Sequence, residues 1–156
     1  MAQIDAGSLR DFEVFAGLSV AELESILALA AVEHFKADDV ILEESNAGAS
    51  GFYIIVRGMV KVEIEVSNAL TGEKGNRRLA TLKTGEVFGE RGLLSGRRRS
   101  ARVVAYSDLV ALRIDNLALE QEFERNPRLG WLFMRNLTAI LSDRLVGLNF
   151  MLRDEI

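Results

Sequence analysis

Residues 85–105, GEVFGERGLLSGRRRSARVVA, bring together the residue types that bind phosphate. Glycines stand at positions 85, 89, 92 and 96, next to Glu90, and arginines at positions 91, 97, 98, 99 and 102. A partly buried phosphate needs backbone N–H donors with no side chain in the way, a helix N-terminus, and a guanidinium that can match two oxygens. The stretch therefore predicts a pocket for a phosphate-bearing ligand.

Different parts of this stretch are expected to make different contacts with the ligand. Residues 89–94 supply the unobstructed N–H groups, provided that they form a short helical turn after a strand at 87–88. Residues 99–101 supply the guanidinium and further donors. A carboxylate beside a phosphate is repulsive, so Glu90 fits better as an acceptor of hydrogen bonds from a sugar hydroxyl. The combination predicts a nucleotide rather than inorganic phosphate.

Composition excludes several other functions. The 156 residues carry a net charge of −4, which argues against broad binding to nucleic acid or to an anionic membrane. The chain has no cysteine, and its one histidine, His34, can supply neither a multi-histidine metal site nor an obvious catalytic base. We therefore expect no enzyme, no metal and no cofactor. Because no secretory signal or apolar span is apparent, we expect a cytoplasmic protein.

The patterning predicts a mainly β protein between helices. Residues 19–35 have helical spacing and a serine–glutamate capping pair, Ser19 and Glu22. Short β-branched runs separated by turn formers predict strands of a sandwich or rolled barrel. These strands are expected at residues 40–42, 52–56, 59–66, 79–82, 102–105 and 109–114, with turns that include Thr71-Gly72 and Gly75-Asn76. Residues 117–124 and 128–153 return to helical spacing.

The last helix carries an apolar stripe about seven turns long. Part of that stripe is expected to cover the β core. The distal part either docks on its own domain as well or pairs with the same helix of a second copy, giving a homodimer.

Several of these segments together resemble the cyclic nucleotide-binding domain family, which includes the regulatory subunit of cAMP-dependent protein kinase and the bacterial catabolite activator protein. The resemblance is carried by Phe88-Gly89-Glu90, Leu93-Leu94, Arg99-Ser100-Ala101, Val103 and Ala105, by Phe15 to Ser19 with Glu22-Leu23, and by Phe52 to Val60. It implies an eight-stranded β-roll, a jelly roll, with an N-terminal helix and a long C-terminal helix. A single domain over residues 1–156 is expected, with a helical part at 1–37, the roll at 38–115, the phosphate-binding cassette at 85–105, and C-terminal helices at 116–156.

The resemblance also implies ligand contacts. Glu90 would bind the ribose 2′-hydroxyl and Arg99 the cyclic phosphate, with Gly89 close to the ribose. Ser100 would offer its hydroxyl and N–H to the phosphate, and Ala101 an N–H. The remaining expected ligand residues are Phe88, Arg102, which would either stack on the base or obstruct it, and Asn149, which with Leu148 would lie nearest the base.

Ser100 follows the phosphate arginine at the position where family members that bind cAMP have alanine and those that bind cGMP often have threonine. The catabolite activator protein has serine there, which favours cAMP over cGMP. The expected function is a cyclic-nucleotide sensor in which the ligand repositions the C-terminal helix. The alternatives are a roll without a ligand that binds an effector protein, and the sensory fragment of a transcription regulator. No DNA-reading element and no membrane contact are expected within the chain.

Overall fold

The computed structural model describes residues 4–43, 51–90 and 101–155. Their contacts divide the chain into two units. A β unit comprises residues 30–117, and a helical unit comprises residues 1–29 and 118–156.

The β unit is built from short runs rich in β-branched and aromatic residues, which fit a pleated and half-buried surface. Its described residues form two four-stranded antiparallel sheets with the orders β1-β8-β3-β6 and β2-β7-β4-β5. The strands are β1 (Ala30–Phe35), β2 (Val40–Leu42), β3 (Gly51–Arg57), β4 (Met59–Ser67), β5 (Lys74–Lys83), β6 (Val87–Phe88), β7 (Arg102–Ala105) and β8 (Leu109–Asp115). With the flanking helices, this confirms the expected fold class.

One apolar cluster connects the two sheets. It takes alternate residues of each strand, as the period of two along a strand requires. Its buried members are Leu42, Tyr53, Ile55, Val60, Leu82, Phe88, Val103, Ala105, Leu109 and Ala111. The strand ends on either side of residues 91–100 are therefore anchored in the same core.

The N-terminal helix is shorter than its sequence pattern indicates. Helix α2 covers Val20–Leu29, and the next six residues form strand β1, which pairs antiparallel with residues 109–114 of β8. The prediction of one helix over residues 19–35 is wrong, and so is the placement of residues 30–37 in the helical part. Pairing with a strand almost eighty positions later outweighs the helix propensity of Ala30 and Ala31.

The β4–β5 hairpin is longer than predicted. The turn lies at residues 68–72, where the Asn68 side chain accepts hydrogen bonds from the N–H groups of Leu70 and Thr71. Gly75-Asn76, predicted as a turn, lies inside β5, where Gly75 pairs with Val66. The asparagine cap at 68 fixes the turn, so the second turn signal is not used.

The described elements of the helical unit are α1 (Ala6–Leu9), a 3-10 helix (Glu13–Phe15), α2, α3 (Asn116–Arg125) and α4 (Pro127–Asp154), with the first two residues of α3 in the β unit. The predicted capping pair is confirmed, because Ser19 N–H donates to Glu22 and Glu22 N–H donates to the Ser19 hydroxyl. Asn126 accepts a hydrogen bond from the N–H of Leu129 at the start of α4.

Within the described ranges, no helix is both long enough and apolar enough to cross a membrane.

Candidate ligand-binding site

The first half of the cassette is held by aromatic stacking. Phe88 ends β6, which pairs with Tyr53 and Ile54 of β3. The Phe88 and Tyr53 rings stack with centroids 4.8 Å apart and an interplanar angle of 3°. Because Phe88 is 2% exposed, its ring is a core anchor that fixes where the following residues emerge.

A tight turn before β6 sets the direction of this strand. The carboxylate of Glu86 accepts a hydrogen bond from the N–H of Lys83, and the N–H of Gly85 donates to the carbonyl of Ile55. Gly85 has a φ of +88°, a conformation that costs glycine little. The turn thus delivers residues 87–90 to one edge of the β3 sheet.

Gly89 and Glu90 follow directly. Gly89 is buried and has a φ of +83°, so a side chain at this position would be strained. Glu90 is half-buried, neither sunk in the core nor fully solvated. A carboxylate placed in this way can accept hydrogen bonds from a sugar hydroxyl.

In the second half of the cassette, the described residues begin at Ala101, which is half-buried and directly precedes β7. Val103 and Ala105 point into the core cluster, so alternation places Arg102 on the opposite face of the sheet. There the Nε and Nη2 atoms of Arg102 lie 2.9 and 2.8 Å from Oε2 of Glu63, its cross-strand partner on β4.

Glu63 is a buried carboxylate that sequence reasoning missed. Lys61 Nζ lies 3.5 Å from its Oε1, so two cations share this one acid. The available signal was the strict alternation of Lys61, Val62 and Glu63, which puts both charges on one face. The position opposite Arg102 depends on strand register, which the sequence does not specify by itself.

The other predicted ligand residues are distributed as follows. Arg99 and Ser100 lie outside the described residues. Asn149 lies on an exposed face of α4 in the helical unit. Phe88, Gly89 and Glu90 form one end of the cassette, and Ala101 and Arg102 form the other. Within residues 4–43, 51–90 and 101–155, no group of three or more histidine or acidic side chains is placed to hold a metal ion.

The geometry defines a β-roll with flanking helices, and comparison with known proteins identifies its class. The family model for the cyclic nucleotide-binding domain matches residues 32–126, more than half of the chain. The chain therefore belongs to the cyclic nucleotide-binding domain family, and it resembles regulatory and sensor domains of that family.

Individual relatives agree with this assignment. Human cGMP-dependent protein kinase 2 is 32% identical over 114 residues, which cover 72% of this chain and 14% of the kinase. The chain thus spans a small part of the length of the curated relatives it matches. The Thermus thermophilus catabolite activator protein is 28% identical with a TM-score of 0.71, over 90% of this chain and 62% of that structure. A cyclic nucleotide-binding domain from Methylobacillus flagellatus has a TM-score of 0.83 at 21% identity, over 97% and 82% of the two chains.

Proposed function

We propose that this chain is a cyclic-nucleotide sensor that regulates without catalysing a reaction, and that it works in the cytoplasm. The observation that carries the proposal is the exit of β6, where Gly89 with positive φ and half-buried Glu90 follow an anchored aromatic residue. Membership of the family supplies the ligand class.

In this proposal each cassette residue has one task. Glu90 accepts a hydrogen bond from the ribose 2′-hydroxyl, and Gly89 leaves room for the ribose to approach the backbone. Arg99 pairs with the cyclic phosphate, and Ser100 and Ala101 donate to its oxygens. These backbone N–H groups complete a proposed site for a single anion.

Arg102 stays a proposed residue of the ligand site, but its ion pair with Glu63 argues against stacking on the base. To stack on a base, its guanidinium would have to leave Glu63, and this buried carboxylate would then keep only Lys61 of the two cations that it contacts. The proposed role of Arg102 is therefore to hold the start of β7 beside Ala101. Asn149, with Leu148, stays the proposed base contact.

cAMP is the favoured ligand because Ser100 follows the phosphate arginine, as in the catabolite activator protein. cGMP is the second candidate, and the name of the related kinase, a cGMP-dependent protein kinase, favours it. Side-by-side titration with the two nucleotides separates these candidates.

The role of Glu90 can be tested with a chemical double-mutant cycle. Wild type and Glu90→Gln are each titrated with cAMP and with 2′-deoxy-cAMP in a calorimeter. Replacing the charged acceptor should weaken the binding of cAMP by roughly tenfold, since a hydrogen bond to a charged group contributes about 1.5–3 kcal/mol. The same substitution should have little effect on the 2′-deoxy ligand. Equal losses with both ligands would show that Glu90 does not contact the 2′-hydroxyl.

The output is proposed to pass through α4. Its distal half carries exposed apolar side chains, including Leu145, Leu148 and Leu152. We propose that this surface forms a homodimer and that ligand binding repositions the helix, which alters what an effector protein contacts. A roll that binds an effector without any ligand is the competing function, and it predicts no heat with either nucleotide.

A further inference from the structure

The helical unit has an open apolar cleft between α3 and the first turns of α4. Its volume is about 620 Å³, within the range of roughly 300–1,000 Å³ found for pockets that hold drug-sized ligands, so it has room for a single indole ring. Its lining includes Phe123 of α3 and Pro127, Gly130, Trp131 and Met134 of α4. Gly130 is required by the packing beneath it, because a Cβ there would lie 2.8 Å from the Cβ of Phe123.

Trp131 stands at the edge of this cleft and is 62% exposed. The guanidinium carbon of Arg135 lies 5.0 Å from its ring centroid, which orients the ring as a cation–π contact does. Large exposed aromatic side chains beside an apolar hollow are typical of interfaces, where they act as anchors.

The cleft lies on a longer stripe. Counted from Trp131, apolar or small residues recur along α4 with alternating spacings of three and four, the repeat of a two-stranded coiled coil. The positions are Trp131, Met134, Thr138, Leu141, Leu145, Leu148 and Leu152. Most of the stripe is open to solvent, because four of its side chains are exposed: Trp131, Leu145, Leu148 and Leu152.

We propose that the cleft receives Trp131 of a second copy of this chain, and that each copy contributes its tryptophan to the other. The proposal rests on the homodimer proposed above and names its anchor. A two-fold interface places the same patch on both subunits, so a protruding side chain beside a hollow can serve both copies.

Coiled-coil geometry specifies which four residues of the facing helix form the hole that receives a side chain. In a parallel pair, a side chain at the repeat position of Trp131 enters a hole made by the residues at positions 127, 130, 131 and 134 of the facing helix. These are Pro127, Gly130, Trp131 and Met134, and all four line the cleft. The space that a side chain at Gly130 would take is filled by Phe123, whose side chain therefore forms part of the floor of that hole. The coincidence of hole and cleft favours a second copy in parallel orientation over an unrelated partner.

Tryptophan fluorescence reports directly on the surroundings of Trp131, because Trp131 is the only tryptophan of the chain. The full chain is diluted across its monomer–dimer midpoint, with molar mass followed by sedimentation and tryptophan emission recorded on the same samples. We expect emission to shift to the blue, and acrylamide quenching to fall, in step with dimer formation. A dimer whose tryptophan emission and quenching equal those of the monomer would overturn the inference and leave the homodimer standing. A monomer at every concentration would overturn both, whatever the nucleotide titration shows.

A matched pair of variants sharpens the test. Trp131→Ala should weaken dimerisation by on the order of tenfold or more, as for an interface anchor. Phe150→Ala is the control, because Phe150 is 57% exposed on the same helix with Arg153 over its ring at 5.5 Å, but lies off the stripe. Circular dichroism melts establish that both variants fold. Equal dimerisation constants for the two variants would contradict the proposal.

Leu145→Asp extends the test along the stripe. It should abolish the dimer and leave Trp131 with monomer-like emission. Leu70→Asp, the same change at an exposed leucine of the β4–β5 turn, should leave dimerisation unchanged. Normal dimerisation of the Leu145→Asp variant would contradict the assigned stripe.

Discussion

The two halves of α4 have apolar residues at similar helical spacing but lie in different surroundings. In the proximal half, residues 127–140, the side chains of Leu129, Phe133 and Leu137 are fully buried. In the distal half, residues 141–154, leucines at similar helical spacing are exposed, and Leu145 and Leu152 are each 60% exposed.

The difference arises from what each half can pack against. The proximal half meets the N-terminal segment: Phe15 packs on Phe133 with centroids 6.3 Å apart, and the Asn136 amide donates to the carbonyls of Val14 and Ala16 at 3.0 and 2.9 Å. The same amphipathic pattern therefore places apolar side chains in an internal core in the proximal half and on an exposed surface in the distal half. Substitutions in the two halves should change different properties of the protein.

The largest expected contrast is between two phenylalanines of this helix. Phe133→Ala removes a fully buried ring and should lower the free energy of unfolding by about 3–5 kcal/mol. Phe150→Ala, at an exposed position, should change it by less than about 0.5 kcal/mol. Urea unfolding measured at concentrations where the chain is monomeric gives both values. Similar losses for both would mean that the distal half is packed as tightly as the proximal half.

A smaller contrast is expected for two asparagines. Asn136→Ala removes the amide donor of the Val14 carbonyl in a buried environment and of the Ala16 carbonyl in a partly buried one, which should cost about 1–3 kcal/mol. Asn149→Ala is the exposed counterpart and should leave stability unchanged while, under the proposed function, weakening nucleotide binding. Thermal unfolding and calorimetry on the same two variants separate the effects. An Asn136→Ala variant as stable as wild type would show that these hydrogen bonds do not hold the N-terminal segment on α4.

The smallest expected effect is a pH dependence in the proximal half. Burial raises the pKa of Glu22, but its hydrogen bonds with Ser19 and the charge of Arg128 lower it by more, so the net pKa lies below the usual 4.5. A lowered folded-state pKa means that the stabilisation from Glu22 is complete above the unfolded-state pKa and is lost as the pH falls through the folded-state pKa.

This pH dependence can be isolated by difference. The free energy of unfolding of wild type minus that of Glu22→Gln should be constant near neutral pH and should fall on acidification. The difference should be modest, since Arg128 is more than half exposed and solvent screens the pair. Glu24→Gln, at an exposed position on α2, serves as the control for removing a charge from this helix. A wild-type advantage that grows on acidification would contradict the assigned sign.

Local signals predicted much of the fold. Strands β2 and β7 match their predicted bounds, α4 extends the predicted range by one residue at each end, and the capping pair at Ser19 and Glu22 forms as expected. Strand β1 could not be read from the sequence, because alanines favour helix locally and only pairing with β8 makes the strand. The strand expected at residues 87–88 is confirmed as β6, although two residues are too few for a periodic pattern.

Residue type and spacing predicted the strand at residues 87–88 and the position of the cassette after it, whereas the ligand contacts of the cassette stay predictions. The order Phe88, Gly89, Glu90 matches a buried anchor, a positive-φ glycine and a half-buried acid in the structure. The pairing of Arg102 with Glu63 was not predictable, because it depends on the register between two strands almost forty residues apart. Charge density in the cassette therefore does not distinguish an arginine held in an ion pair, such as Arg102, from the arginine expected to bind a phosphate.

The central claim is that this chain binds a cyclic nucleotide through its cassette, and calorimetric titration of the full chain tests it most directly. The account predicts saturable binding of cAMP, loss of about 2–4 kcal/mol of binding free energy in Arg99→Ala, and near wild-type binding in the neighbouring control Arg97→Ala. Absence of heat and of any thermal shift with both cAMP and cGMP, even at ligand concentrations on the order of 1 mM, where a Kd of that size corresponds to about −4 kcal/mol, would contradict it.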